Sequence, residues 1–142
     1  MDTCIAHCPL CHPHHEICLY QNERLRIILV DTSDYPGYVR VIWTAHKAEM
    51  TDLQPEERDY LMHVVFAVET VVRKLCKPDK INLAALGNQV PHVHWHIIPR
   101  WQDDPNFPDS IWATAKRTYS ASRAHLSLEN WQTLLRQMID TL

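Results

Sequence analysis

The first half of the chain consists of short apolar runs separated by polar or turn-forming residues. Residues 17–21 and 25–31 are two such runs, and the three polar residues between them form a break of hairpin length. The stretch 31–37 then collects Asp, Thr, Ser, Pro and Gly, which favour turns, before a β-branched and aromatic run at 38–44. This pattern predicts three successive antiparallel strands.

The periodicity changes after Asp52. Pro55 suits a first helical turn, acidic residues follow it, and apolar residues recur at helical spacing until the chain reaches Pro78. Runs at 81–86 and 93–98 predict two further strands joined by the turn 87–91, and Ser127 opens a second amphipathic helix. We therefore predict an α+β fold: an antiparallel sheet of about five strands with a long helix and a C-terminal helix packed on it.

Composition narrows the class of protein. The 142 residues suit one domain, and the apolar runs are too short to span a bilayer. The net charge of −3 and the absence of a Lys/Arg block argue against duplex nucleic acid as a partner. The first residues lack the features of a secretory signal. The five cysteines, an odd number, fit metal binding or free thiols better than a disulfide framework, so we expect a soluble cytoplasmic protein.

Histidine is strongly over-represented, with ten in the chain. His92, His94 and His96 alternate along the last predicted strand, so they share one face while Val93, Trp95 and Ile97 share the other. The apolar face suits burial against a helix, which leaves the imidazoles on the more accessible face. Three interpretations are open: solvated polar positions, a metal site, or phosphate chemistry by an imidazole nucleophile with protonated neighbours.

The turn before this strand favours phosphate chemistry. Gly87 permits close approach of the backbone, while Asn88, Gln89 and backbone N–H groups offer neutral donors to phosphate oxygens. Positive charge could come from imidazoles and backbone donors alone, so no cofactor is required for the chemical step.

A second candidate site is the pair Cys8 and Cys11, whose spacing suits tetrahedral zinc. Two further ligands are needed. Nearby histidines could supply them locally, more distant residues could complete the set, or the two cysteines could simply be reduced and buried. The local candidates are His7, His12, His14 and His15.

The motif His92-x-His94-x-His96, followed by two apolar residues, resembles the signature of the histidine triad (HIT) superfamily. The similarity extends through Asp31, the Pro36-Gly37-Tyr38 turn, the long helix and Gly87. It implies a single HIT domain over residues 1–142, with a core at about 8–100 and a C-terminal extension at about 101–142.

The resemblance also implies an activity. The central histidine, His94, would attack the α-phosphorus of a nucleotide to give a nucleotidyl-histidine that water hydrolyses, with His96 assisting the leaving group and His92 supporting the site. Related transferases carry glutamine at the third position, so His96 favours hydrolysis. Implied substrates are purine nucleotides, namely dinucleoside polyphosphates or phosphoramidates, and bacterial members are often labelled diadenosine tetraphosphate hydrolases.

Further roles follow from the same resemblance. Asp31 would contact the ribose; Gly87, Asn88, Gln89 and Asn82 would contact the phosphates, although Asn82 lies one residue nearer the triad than its counterpart in relatives. Tyr38 stands where many members have another active-site histidine. Zinc would be bound by Cys8, Cys11, His46 and His92. Relatives form homodimers by joining their sheets, so a homodimer is expected.

Three alternatives compete with a hydrolase: a zinc-stabilised nucleotide-binding module with little catalysis, a nucleotidyl transferase or phosphorylase, and a metallohydrolase that uses all three histidines. Beyond the triad, Trp101 and Trp112 flank a polar loop and could reach the substrate or a partner subunit. Arg100 could meet a distal phosphate, but we expect both it and Asp103 to be exposed to solvent.

Overall fold

The computed structural model describes residues 4–32, 34–118, 123 and 126–142. Within these residues the chain forms five strands and two α-helices, as predicted. They are β1 (Ile17–Gln21), β2 (Leu25–Leu29), β3 (Val39–Trp43), α1 (Pro55–Cys76), β4 (Lys80–Ala84), β5 (His94–Arg100) and α2 (Leu128–Ile139), with a short 3-10 turn at Met50–Asp52. The predicted α+β class is confirmed.

The strands form one sheet in the order β1-β2-β3-β5-β4, and every neighbouring pair is antiparallel. Strand β5 continues two residues past its predicted end. Arg100 pairs with Lys80 of β4, and its carbonyl accepts a hydrogen bond from the Asp79 amide at 2.9 Å. These backbone bonds hold the extra residues in the sheet.

Helix α1 covers one face of the sheet. Its start is fixed by Pro55 in the first turn and by a capping box in which the backbone N–H of Gln54 donates to the Glu57 carboxylate at 2.8 Å. Its end is fixed by Lys77 in the left-handed conformation, directly before Pro78. The apolar side of α1 is fully buried, and α2 packs beside it through Trp131 and Leu135. This layer is the main hydrophobic core.

The turn between β2 and β3 approaches the end of α1 closely. Gly37 has φ +90°, and a β-carbon at this position would collide with the Cys76 sulfur. Only glycine satisfies both demands without strain. The turn thereby fixes where β3 begins.

The opposite face of the sheet is covered in two places. The N-terminal segment packs there through Cys8 and Leu10 against Ile28 and Ile42. The second place is covered by the segment after β5. Asp104 of this segment forms a buried ion pair with Arg100, the last residue of β5, with Nε and Oδ2 2.8 Å apart and the side chains only 2% and 0% exposed. The expectation that Arg100 is exposed is therefore wrong, because its guanidinium has a buried carboxylate partner. Asp103 is exposed, as expected, with 57% of its side chain accessible.

Among the described residues, no helix has both the length and the apolar character needed to cross a membrane.

Candidate active site

The three alternating histidines lie on the sheet face opposite α1. Val93 and Ile97 belong to the main core and Trp95 packs against it, so the predicted division of faces is correct. The expectation that the histidine face is the more accessible one is wrong in part, because His92 is 0% and His96 only 5% exposed. Cysteines of the N-terminal segment cover His92, whereas Tyr38 and Trp112 lie against His96. Only His94 is half-buried.

His94 has one ring nitrogen engaged and one left for chemistry. Its Nδ1 lies 2.6 Å from the His92 carbonyl oxygen, and because a carbonyl can only accept, Nδ1 carries the proton. The lone pair is therefore on Nε2. Burial lowers the pKa of His94; the bond to the His92 carbonyl opposes this effect, and the positive charge of Arg40 adds to it. A neutral ring with a free Nε2 lone pair is the form that a nucleophile requires.

His96 has the complementary arrangement. Its Nδ1 makes a short hydrogen bond with the Tyr38 hydroxyl, and the ring lies edge-on to His94 with centroids 4.9 Å apart. The Tyr38 oxygen also accepts from Arg40 Nε at 3.4 Å, and burial raises the pKa of the hydroxyl, so Tyr38 keeps its proton. We assign this proton to the bond with His96 Nδ1. His96 Nε2 then carries an N–H. Burial, His94 and Arg40 lower the pKa of His96 to about 4, so the ring is neutral at pH 7.

His92, the first histidine of the motif, belongs to a cluster of side chains that could hold a metal ion. Ligand atoms of Cys8, Cys11, His46 and His92 all lie within 4.8 Å of one another. His92 Nε2 donates to the Trp43 carbonyl at 2.6 Å, which leaves Nδ1 facing the thiols, 3.4 Å from the Cys8 sulfur and 3.6 Å from the Cys11 sulfur. Burial lowers the pKa of His92, which keeps the ring neutral as a metal ligand must be.

The distant ligand set is therefore the one that the fold brings together. Of the local alternatives, His12 contacts Cys4 at 3.5 Å, and His7, His14 and His15 are exposed. The four residues Cys8, Cys11, His46 and His92 have the donor composition of a closed zinc site, with an outer hydrogen bond that orients one histidine.

A pocket of about 380 Å³ opens beside His94, between the loop after β3 and the turn before β5. Gly87 lines it, with φ +80° as this turn requires. Asn88 and Gln89 follow on the exposed turn and do not line the pocket. The complete lining is Ala48, Glu49, Met50, Thr51, Ala85, Leu86, Gly87, His92, Val93 and His94. The glycine turn and the central histidine thus share one cavity.

Two predicted substrate contacts lie elsewhere. Asp31 lines a separate pocket of about 370 Å³ together with Gly37 and Trp101, away from the triad. Asn82 lies on β4, and its Oδ1 accepts a hydrogen bond from Arg100 at 2.7 Å. Both remain predictions as substrate-binding residues.

Two residues beside His96 were not predicted as part of the site. Arg40 lies on β3 directly opposite His96 in the strand register. Trp112, which we expected to reach the substrate or a partner subunit without assigning it to the site, has its ring 5.2 Å from that of His96 in an edge-to-face arrangement. Strand alternation places Arg40 on the triad face once β3 and β5 are known to be neighbours. No sequence signal could locate Trp112, because a loop brings it there.

The class of protein is defined by an α+β fold whose antiparallel sheet carries three alternating histidines beside a Cys/His cluster. The family model described as "HIT domain" matches residues 14–103. The chain therefore belongs to the HIT domain family, and the predicted resemblance is confirmed.

Relatives cover the chain to different extents. An uncharacterized HIT-like protein of Saccharolobus solfataricus is 25% identical over 133 residues, which are 90% of this chain and 89% of that protein. The asymmetrical bis(5′-nucleosyl)-tetraphosphatase of Schizosaccharomyces pombe is 32% identical over 58% of this chain and 48% of its own length. An AP-4-A phosphorylase of Mycobacterium tuberculosis is 30% identical over 51% and 40%. The alignments to these last two span less than half of either protein.

Solved structures share the fold. A histidine triad protein from Marinobacter aquaeolei superposes with a TM-score of 0.71 at 26% identity, covering 87% of this chain and 90% of that one. A zinc-bound histidine triad family protein from Mycobacterium smegmatis has a TM-score of 0.60 at 21% identity, covering 94% and 93%.

Proposed function

We propose that this protein hydrolyses a phosphoanhydride or phosphoramidate bond at the α-phosphorus of a nucleotide, with His94 as the nucleophile. The observation that carries the proposal is the pairing of two neutral imidazoles of opposite tautomer. His94 has its Nδ1 held by the His92 carbonyl at 2.6 Å, and the neighbouring His96 has its Nδ1 held by Tyr38. The names of the yeast and mycobacterial relatives, a tetraphosphatase and a phosphorylase, support nucleotides as substrates.

In the first step, the Nε2 lone pair of His94 attacks the α-phosphorus, and the bond from phosphorus to the leaving group breaks. The leaving group departs with that electron pair. A polyphosphate leaves as an anion that accepts a hydrogen bond from His96 Nε2–H, whereas an amine takes that proton while His96 Nδ1 takes the proton of Tyr38, and the water of the second step restores it. The resulting N–P bond makes the His94 ring cationic. Its Nδ1–H remains bonded to the His92 carbonyl, which stabilises this charge.

In the second step, water attacks phosphorus and the N–P bond breaks, which returns the lone pair to His94 and releases the nucleoside monophosphate and a proton. Gly87 lines the pocket beside His94, and we assign Gly87, Asn88 and Gln89 to the phosphates, with Asn82 and Asp31 as further substrate contacts. Because one relative is named a phosphorylase, inorganic phosphate is the acceptor to compare with water.

The decisive experiment is to trap the intermediate. Wild-type protein mixed with radiolabelled diadenosine tetraphosphate should form an acid-labile nucleotidyl-histidine, and His94→Ala should form none while keeping nucleotide affinity and fold. His63→Ala, which removes an exposed histidine of α1, is the matched control. Normal turnover by His94→Ala would refute the proposed nucleophile. Product that forms only when phosphate is added would indicate a phosphorylase.

We further propose that Cys8, Cys11, His46 and His92 bind a structural zinc ion. The proximity of the four donors and the zinc bound by the mycobacterial structural relative support this assignment. When bound, zinc would cross-link the N-terminal segment to His92. Purified protein should then contain one equivalent of zinc, which Cys11→Ser should lose and Cys18→Ser, at an exposed cysteine outside the cluster, should keep. Absence of zinc from the wild type would refute the assignment.

We also propose a homodimer. β4 is an edge strand of the sheet, and an edge strand can pair with a strand of a second copy. Sedimentation velocity tests this, and a monomer at micromolar concentration would contradict it.

A further inference from the structure

Arg40 is a cation on the sheet face that carries the triad, directly opposite His96 in the strand register. Its positive charge lowers the pKa of His96. Its Nε donates only a long hydrogen bond, 3.4 Å, to the Tyr38 hydroxyl, and its guanidinium carbon lies 5.6 Å from the centre of the Tyr38 ring. Within the described part of the chain, Arg40 forms no ion pair with a carboxylate.

Two other arginines of the sheet, both buried, differ from Arg40 because each has a carboxylate partner. Arg26 is paired with Glu16 at 2.7 Å, and Arg100 is paired with Asp104 at 2.8 Å. A guanidinium stays charged and supplies several donors in a planar fork that matches phosphate oxygens. Arg40 therefore presents donors and charge beside His96, where a phosphate group could satisfy them.

Trp112 is the second unexplained feature next to His96. Its indole is 52% exposed although its ring touches that of His96. The position is held by a buried network: Asn106 donates from Nδ2 to the carbonyl of the adjacent Ala113 at 2.8 Å, and Asn106 is itself bonded to Tyr35. A large exposed aromatic ring on a rigid support is suited to stacking against a planar ligand.

We propose that Arg40 and Trp112 form a leaving-group subsite beside His96, in which Arg40 binds a phosphate beyond the attacked phosphorus and Trp112 stacks on an aromatic base. This inference rests on the proposed function and names the substrate class within it. The preferred substrate carries both a polyphosphate chain and a second nucleoside. Nucleotides with a small amine as leaving group would use neither residue.

Three probes separate the two contacts: diadenosine tetraphosphate, adenosine 5′-tetraphosphate, and adenosine 5′-phosphoramidate. Trp112→Ala should lower kcat/KM about tenfold for the dinucleotide alone, and Trp112→Phe should retain most of it. Arg40→Gln should lower kcat/KM about tenfold or more for both tetraphosphates relative to the phosphoramidate. An effect of Arg40 through Tyr38 would act on all three probes equally, so the ratio between probes isolates the phosphate contact.

Controls are available elsewhere on the surface. Phe66→Ala removes an aromatic ring of similar exposure from α1, and Arg73→Gln makes the same charge change on that helix; neither should alter any probe. Equal losses on the three probes, or no loss, would refute the subsite. Failure of the proposed function is distinguishable, because the wild type would then turn over none of the probes and form no phosphohistidine. Calorimetric binding of the same probes to the same variants would still test the subsite.

Discussion

The ion pair between Arg100 and Asp104 offers the sharpest test of how the segment after β5 is held. The Asp104 carboxylate accepts two bonds from Arg100, at 2.8 and 3.0 Å. It also accepts backbone N–H groups of Trp101, Asn106 and Phe107 at 3.1, 3.0 and 2.8 Å. Asp104→Asn preserves the shape of this side chain but removes its charge.

The expected cost is large because both partners are buried. The variant leaves the Arg100 guanidinium, which is 2% exposed, without a counter-ion. It also replaces one acceptor oxygen with an NH2 donor that faces N–H groups needing an acceptor. Removing one partner of a buried pair typically costs about 3–5 kcal/mol. Domains of this size have total stabilities of about 5–15 kcal/mol, so a large fraction of the free energy of unfolding is at stake. At roughly 3 °C per kcal/mol, Tm should fall by about 10 °C or more.

Urea denaturation followed by circular dichroism measures this effect, with Asp109→Asn as the matched control. Asp109 pairs with Lys116 at 3.2 Å in the same segment, but both side chains are about half exposed. Exposed pairs contribute about 0–1 kcal/mol, so this control should change little. Equal destabilisation by the two substitutions would refute the view that the buried pair holds the segment.

The pH dependence of the free energy of unfolding provides a second test. Burial alone would raise the pKa of Asp104, but its bonds to Arg100 and to the backbone amides outweigh this effect and lower it. A lowered folded-state pKa gives stability that is complete above the unfolded value, about 3.9, and is lost as pH falls through the folded value. The stability difference between wild type and Asp104→Asn should thus be constant from neutral pH to about pH 5 and shrink below about pH 4.

Three further predictions concern the turn before β3 and the triad. Tyr38→Phe removes the donor to His96 Nδ1 and should lower kcat by about tenfold or more with little change in KM, measured by steady-state kinetics; an unchanged kcat would contradict the assigned tautomer. Gly37→Ala should destabilise the fold by about 2 kcal/mol or more in urea denaturation, and adding Cys76→Ala should restore only part, since φ +90° remains strained. Burial, His94 and Arg40 lower the pKa of His96 to about 4, so the unfolded chain takes up the proton first as pH falls. The free energy of unfolding of the wild type should therefore decline from about pH 6.5 toward pH 4. In the same titration His96→Gln should decline less, and parallel declines would argue against a buried neutral ring.

The fold and the histidine face were accessible from the sequence because both depend on periodicity. Alternation along 92–98 puts Val93 and Ile97 on the apolar face of the strand, and this face packs in the main core. The distant members of the proposed zinc site were predicted from the family resemblance, since the spacing of Cys8 and Cys11 alone left local and distant partners open. Periodicity and motif spacing, however, carry no information about which loops cover a face.

The remaining features depend on long-range contacts. His96 is buried because Tyr38 and Trp112 reach it from other parts of the chain. Arg100 was expected to be exposed because charged residues past the end of a strand usually are, but β5 continues to include it and Asp104 folds back four residues later. Short-range patterns do not reveal a carboxylate that is positioned by a turn.

The three histidines differ in chemistry because each has a different ring nitrogen or a different kind of partner engaged. His92 uses Nε2 to bond the Trp43 carbonyl, His94 uses Nδ1 to bond the His92 carbonyl, and His96 accepts at Nδ1 from Tyr38. The first two partners are backbone carbonyls, which no side-chain substitution removes. The third is a side chain, so a single change at Tyr38 can alter the proton position on His96 while leaving His92 and His94 as they are. His96, which we propose assists the leaving group, is therefore the member of the triad whose proton position a single substitution can most readily change.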